Sequence, residues 1–133
     1  MKKEYLNHIG IFIFLLFLMS CDNENDNSVI TGTWKLVGYG SEESFKTCDY
    51  GRLSFYSDGT FTGVGYLNQL EGEYSCNGDK INLTYVKTKI GYLDKELYFF
   101  EDNLRKSERF CFPTKGRLRL FYGEKEFFEF LRD

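Results

Sequence analysis

Leu70-Glu71-Gly72-Glu73-Tyr74-Ser75-Cys76-Asn77-Gly78-Asp79-Lys80-Ile81-Asn82-Leu83-Thr84-Tyr85-Val86, residues 70–86, is the stretch whose reading decides the fold. Leu70 to Cys76 and Lys80 to Val86 read as strands, and Asn77-Gly78-Asp79 between them has the composition of a hairpin turn. The arrangement recurs along the chain. Leu53-Ser54-Phe55-Tyr56 and Thr60-Phe61-Thr62 flank Ser57-Asp58-Gly59, and Arg109 to Pro113 and Arg117 to Tyr122 flank Thr114-Lys115-Gly116. Glu126 to Arg132 follows across Gly123-Glu124-Lys125. Upstream, Gly32 to Tyr39 alternates, with Trp34 and Leu36 on one face and Lys35, Val37 and Tyr39 on the other, before an irregular loop from Gly40 to Gly51. Eight short antiparallel strands with this turn spacing predict a mainly β fold, a small barrel or curved sheet. Aromatic residues at 19% and a single proline, Pro113, agree, because aromatic rings pack well on a pleated, half-buried surface.

One segment departs from the strand pattern. Leu93, Leu97, Phe100 and Leu104 recur at helical spacing, Asp94 stands where an N-cap would sit, and Glu101/Arg105 and Asp102/Lys106 are i,i+4 pairs on the opposite face. A single helix over about 94–106, between the fifth and sixth strands, is expected to pack on the sheet through its apolar stripe.

Composition narrows the function classes. The formal charge is −3 with no Lys/Arg cluster, which argues against nucleic acid as a partner. His8 is the only histidine and lies in the N-terminal apolar region, so the domain behind it lacks His-based acid–base or nucleophile pairs and the commonest transition-metal ligand. Cys48, Cys76 and Cys111 are widely spaced without a C-x-x-C, which disfavours zinc. Any one of three pairings could form a disulfide in an oxidising compartment, or all three could be small buried hydrophobes.

The N-terminus carries an address. Met1-Lys2-Lys3 is a positive start, and Ile9 to Met19 is apolar but shorter than the roughly 20 residues that span a bilayer, so it reads as a signal peptide. Leu18-Met19-Ser20-Cys21 resembles the lipobox of bacterial lipoproteins. The resemblance implies cleavage before Cys21, a thioether-linked lipid on its thiol and acyl chains such as palmitate. Removing residues 1–20, with Lys2, Lys3 and Glu4, leaves 133 less 20, or 113, residues and a formal charge of −4. Asp22-Asn23-Glu24-Asn25-Asp26-Asn27-Ser28 is polar and acidic without periodicity, a flexible tether. Acidic residues directly behind the cysteine also resemble the surface-export signal of Bacteroidetes-type lipoproteins; a solvated spacer is the alternative. The expected organisation is residues 1–20 signal peptide, 21–30 lipidated cysteine and tether, and 31–133 one β-domain.

Within that domain, Gly32-Thr33-Trp34-Lys35-Leu36-Val37 and Leu53-Ser54-Phe55…Asp58-Gly59-Thr60 resemble the opening of a META (HslJ-like) domain. Asn68, Gly72 and Tyr74 keep the spacing of that family's G-C-N-x-x-x-G-x-Y motif, and Thr88 matches the threonine after the next strand. A helix and the Leu118-x-Leu120 strand follow in the family's order, so the resemblance covers about residues 32–132. Leu67 replaces the motif cysteine and Tyr92 stands at its partner's usual position, so the family's frequent disulfide would be absent. The resemblance implies an envelope module without catalysis, accessory or stress-related. Gly32-Thr33-Trp34 is equally what a lipocalin-like barrel carries in its first strand, which implies a carrier of a small apolar ligand; the helix between strands five and six favours META.

Few residues offer chemistry of their own. Glu71 and Glu73, two apart on one strand, share a face and could in principle work as an acid–base pair or bind a hard cation, but nothing converges on them, and a solvated face is expected. Asp49, Asp58 and Asp79 suit loops and turns. Gly63-Val64-Gly65 precedes no helix and reads as a bulge or sharp bend. Tyr39, Tyr56, Tyr66, Tyr85, Tyr92, Tyr98 and Tyr122 exceed what a small core needs, which leaves a protein- or glycan-facing surface or simply exposed rings. The reading is therefore a lipoprotein on the outer membrane, facing periplasm or exterior, with no enzyme activity, no cofactor, no metal and no nucleic acid. Its membrane contact is the lipid on Cys21, its envelope partner a protein or glycan, and no ligand-binding residue is identified.

Overall fold

The structure, a computed structural model, describes residues 27–91 and 94–133. Nine antiparallel strands follow one another: β1 (Gly32–Gly40), β2 (Phe45–Thr47), β3 (Arg52–Phe55), β4 (Thr60–Val64), β5 (Gln69–Asn77), β6 (Lys80–Lys87), β7 (Arg109–Cys111), β8 (Arg117–Phe121) and β9 (Phe127–Arg132). Eight of them close a barrel in the order β1-β3-β4-β5-β6-β7-β8-β9, with β9 pairing back onto β1. Every barrel strand except β1 pairs with its predecessor in the barrel, an up-and-down meander that leaves no free sheet edge at the closure. The extra strand, β2, lies inside the stretch read as an irregular loop. It pairs with Gly38–Gly40 of β1, beyond the reach of β3, which takes Gly32–Lys35.

The hairpins form where the turn residues predict. Asn77 pairs with Lys80, so Gly78-Asp79 is a two-residue loop, and Gly78 takes φ +63°, a conformation an L side chain resists. At the β3–β4 hairpin Asp58 accepts hydrogen bonds from the Thr60 amide (2.9 Å) and hydroxyl (2.6 Å), the Asx chemistry that fixes a turn.

Alternate residues of the strands fill the interior. Trp34, Leu36, Leu53, Phe55, Phe61, Leu118, Leu120, Phe128 and Phe130 are all essentially inaccessible. Each large apolar side chain so buried stabilises the fold by about 1.5–3 kcal/mol. Glu71, Glu73, Thr62 and Thr84 occupy the intervening, outward positions and are exposed.

Both mouths of the barrel are plugged. At one, Trp34 donates from Nε1 to the Ile30 carbonyl (2.9 Å) and lies beneath the Arg132 guanidinium, 4.2 Å from its ring centroid. Ile30 is fully buried there, and the Cys76 amide donates to Asn27 Oδ1 (3.0 Å). Residues 27–30, assigned to the tether by sequence, are thus part of the folded domain. At the other mouth lies the helical segment, which comprises a 3-10 turn Lys95–Tyr98, helix α1 (Phe99–Asn103) and a second 3-10 turn Leu104–Lys106. Asp94 caps it as expected, accepting from the Glu96 amide (3.0 Å). Phe100 meets Phe128 and Phe130 edge-on, and Leu104 is fully buried. Leu93, the first residue of the predicted stripe, lies outside the described residues, as does Tyr92.

Three local readings change. The predicted Glu101/Arg105 and Asp102/Lys106 pairs do not form: Glu101 is fully buried, and Asp102 pairs with Lys87. Gly63 sits in regular register between Leu53 and Leu70, with no bulge, whereas Gly65 opens the expected sharp bend, its amide donating to the Asn68 carbonyl (2.8 Å). A Cβ at Gly63 would stand 2.7 Å from Leu53 Cδ2, and one at Gly65 would collide with Glu101 Oε2, so close approach is the reason for glycine at both. The bulge is in β1, where the pairing with β9 shifts between Leu36 and Gly38. The extra residue, Val37, reverses the alternation. Tyr39 therefore turns inward and stacks on Phe99, with centroids 4.5 Å apart, instead of sharing the outer face with Lys35.

Candidate functional site

Asn68 lies in the β4–β5 turn, only 1% exposed, and uses both ends of its amide. Its Oδ1 accepts from the Ile90 amide (2.7 Å) and the Thr88 hydroxyl (2.9 Å). Its Nδ2 donates to Glu101 Oε1 (2.6 Å) and more weakly to the Ile90 carbonyl (3.4 Å). Thr88 Oγ1 in turn accepts from the Gln69 amide (3.0 Å). Two of the motif positions, Asn68 and Thr88, thus meet in one network that ties the β4–β5 turn to the end of β6 and to the helical segment.

Lys87 and Tyr85 complete the mouth. The Lys87 ammonium pairs with Glu101 Oε1 (3.3 Å) and closely with Asp102. Partial burial works against its charge, but the Asp102 hydrogen bond and the charges of Glu101 and Asp102 outweigh it and hold the pKa above the ordinary lysine value. The Tyr85 hydroxyl donates to the Glu101 carbonyl (2.6 Å) and accepts from the Arg105 amide (3.0 Å). Glu101 Oε2 has no hydrogen-bond partner among the described residues and packs against the Gly65 backbone. The amide, hydroxyl and ammonium of this network are all engaged within the protein, so the arrangement holds the helix over the mouth; it presents no free acid–base pair.

Glu71 and Glu73 are both exposed on the outer face, paired in register with Val86 and Thr84, and among the described residues they belong to no group of three or more potential metal ligands. Among the described residues no group of three or more His, Cys, Asp or Glu could hold a metal. Among the described residues Cys48, Cys76 and Cys111 form no disulfide, being half-buried, buried and exposed respectively; burial pushes the Cys48 thiol pKa up. Of the tyrosines, Tyr39, Tyr85 and Tyr122 pack against the core, whereas Tyr56 and Tyr66 are exposed at opposite ends of β4. Cys21 lies outside the described residues. No helix of the described residues is long and apolar enough to cross a membrane.

Sequence reasoning placed Glu101 on the solvated face of the helix and overlooked Lys87. The signal for Glu101 was present: it follows Leu97 by four residues and precedes Leu104 by three, which places it on the inward face of a helix. Lys87 had no signal of its own beyond inward parity with Leu83 and Tyr85 in β6.

Several groups here carry raised pKa values, and their sum sets the alkaline behaviour. Burial pushes Tyr50 and Tyr122 up to about 12, and Tyr74 and Tyr85 are raised by burial too. A group with a raised folded-state pKa contributes stability that is intact below its unfolded value and lost as pH climbs through the folded one. For Lys87 and these tyrosines the window opens near pH 10 and reaches about 12. The urea midpoint is expected to fall steadily across it, and Tyr122→Phe to shallow the fall. A midpoint flat from pH 9 to 12 would contradict this assignment.

The fold defines a closed eight-stranded up-and-down barrel with one extra strand and a short helix across one mouth. No protein-family model matches the chain, and no curated protein matches it. Among solved structures it is similar to the 1.00 Å crystal structure of a DUF4847 family protein from Bacteroides vulgatus, with TM-score 0.58 and 18% identity over 77% of this chain and 93% of that one. At this identity the likeness shows the fold.

Proposed function

We propose that the chain is a lipid-anchored envelope lipoprotein whose barrel is a non-catalytic, META-like accessory or binding module. The observation that carries this reading is Leu18-Met19-Ser20-Cys21 directly behind a positively charged, apolar leader. One acyl chain holds a protein only marginally, at about 0.8 kcal/mol per buried methylene, so stable attachment takes the two or three chains that lipoproteins carry. The chain enters the described domain at Asn27, beside the Trp34 mouth. A lipid on Cys21 would lie six residues upstream of that entry point.

Two features favour an accessory module over the alternative, a lipocalin-like carrier. The barrel axis is occupied by Trp34, Phe55, Phe61, Phe128 and Phe130, and both mouths are closed by the protein's own side chains. An apolar ligand needs about 300 Å³ or more of enclosed space, for which these rings would have to move. The test is Cys21→Ala followed by membrane fractionation. The wild-type chain is expected in the membrane fraction and the variant in the soluble fraction; a variant that still floats with membranes would end the lipoprotein reading.

A further inference from the structure

β6 and β7 are joined by a single pair, Lys80 with Arg109, supported by the Ile81 amide donating to the Glu108 carbonyl and the Phe110 amide to the Asp79 carbonyl. Past that pair the chain between the helix and β7 stands away from the sheet. A groove of about 450 Å³ opens between residues 105–108 and the outer face of β5 and β6. Such a volume falls within the range of about 300–1,000 Å³ typical of small-molecule sites.

The groove gathers three cations, Lys80, Arg105 and Lys106, against one carboxylate, Glu108. None of the three has an ion-pair partner among the described residues, although the chain as a whole is acidic. Arg105 is held in place by the Tyr85 ring, 4.6 Å from its guanidinium carbon, which orients the charge without neutralising it. Neutral donors and acceptors line the same space. The side chains of Ser75, Asn77 and Asn82 are bonded to nothing else in the described protein, and the Ser107 hydroxyl is buried and unpartnered. A native fold rarely leaves such a group without a partner unless a water, ion or ligand completes it.

Two other grooves differ. Beside β8 and β9, Arg119 is held by Glu42 and Glu129 and Arg109 by the Glu124 carbonyl, while along β3–β6 Arg52 pairs with Asp133 and Lys87 with Asp102. Apart from Lys125, their cations are engaged within the protein, and beside β8 and β9 Glu42, Glu43 and Glu124 offset the positive charge, whereas the three cations of the 105–108 groove face one carboxylate and have no ion-pair partner among the described residues.

We infer that this groove binds an anionic saccharide. A phosphate or carboxylate would lie between Lys80, Arg105 and Lys106, and sugar hydroxyls would exchange hydrogen bonds with Asn77, Asn82 and Ser107. Guanidinium and ammonium donors bind oxyanions through charge-assisted hydrogen bonds, and amides and hydroxyls match the mixed donor–acceptor edge of a sugar. The site goes beyond the anchoring proposal and is independent of it, because lipid on Cys21 alters neither the groove nor its charges.

Glucose 1-phosphate, titrated calorimetrically in neutral detergent into the full chain purified from whichever cell fraction holds it, is the probe. It is expected to bind at least tenfold more tightly than glucose and than inorganic phosphate, and to weaken as salt is raised. Lys80→Gln/Lys106→Gln, two exposed changes, should weaken it at least tenfold with an unchanged melting temperature, and Ser107→Ala severalfold. A parallel arm uses phosphatidylcholine vesicles with and without glucuronosyl diacylglycerol. Binding of glucose 1-phosphate together with vesicle binding that increases with the glucuronosyl lipid marks any anionic saccharide as a ligand, and an increase that depends on the glucuronosyl lipid without binding of glucose 1-phosphate marks a glycolipid headgroup; attachment to phosphatidylcholine alone is the contribution of the Cys21 lipid and is subtracted. Equal affinity for glucose and glucose 1-phosphate, a double variant that binds as well as wild type, or no binding in either arm would overturn the proposal. Lipidation can fail while this succeeds, so the two readings are tested separately.

Discussion

Trp34→Ala is expected to be the most damaging single substitution, costing about 3–5 kcal/mol of folding stability. The indole is fully buried, so the change removes the largest side chain of the interior and leaves a cavity that neighbours on rigid strands cannot fill. It also orphans the Ile30 carbonyl, which loses the Nε1 donor, and strips Arg132 and Phe112 of the ring they lie against. Domains of this size hold about 5–15 kcal/mol in total, so the variant should be partly unfolded at room temperature or melt at least about 10 °C lower. Trp34→Phe, which keeps the ring but loses the hydrogen bond, should fall between the two. Urea unfolding followed by far-ultraviolet circular dichroism reads the loss; a decrease under about 1 kcal/mol would mean that Trp34 does not plug the barrel.

Asn68→Ala is expected to cost about 2–4 kcal/mol by a different mechanism, the stranding of buried polar groups. The alanine leaves the Ile90 amide and the Thr88 hydroxyl without their acceptor and Glu101 Oε1 with Lys87 alone. Because Asn68 fastens three segments together, the loss should be local as well as global. Amide exchange across residues 87–91 and 95–106 is expected to accelerate more than across β8 and β9. Asn68→Asp, which exchanges the donor facing Glu101 for a second carboxylate, should be at least as harmful. Uniform acceleration through the barrel, or none, would contradict the role given to this side chain.

How much of this could be read from the sequence depends on how local the cause is. The turns at Asp58-Gly59 and Gly78-Asp79 are set by the backbone preferences of two or three residues, so the eight barrel strands are legible directly. The helix was visible because Leu97, Phe100 and Leu104 keep a period that no strand keeps. Features that depend on distant partners were harder. The Val37 bulge exists because β1 serves β2, β3 and β9 together, and no residue in Gly32–Gly40 announces it. β2 is three exposed residues that become a strand only because β1 outlasts β3. Glu101 was misread because a charged residue on a helix is usually solvated, whereas here Asn68 and Lys87, far off in the chain, make its burial tolerable. The groove of Lys80, Arg105 and Lys106 was out of reach for the same reason: its halves come from separate elements, and only the sparse β6–β7 junction brings them together.

The central claim, that Cys21 is the membrane attachment of this barrel, is tested most directly by the intact mass of the protein purified from membranes. The account predicts a chain of residues 21–133 carrying a diacylglyceryl group on the Cys21 thiol, with the mass falling by the two ester-linked acyl groups on alkaline hydrolysis and the glyceryl thioether remaining on the polypeptide. A chain that retains residues 1–20, or one that begins near Cys21 with an unmodified thiol, would contradict it.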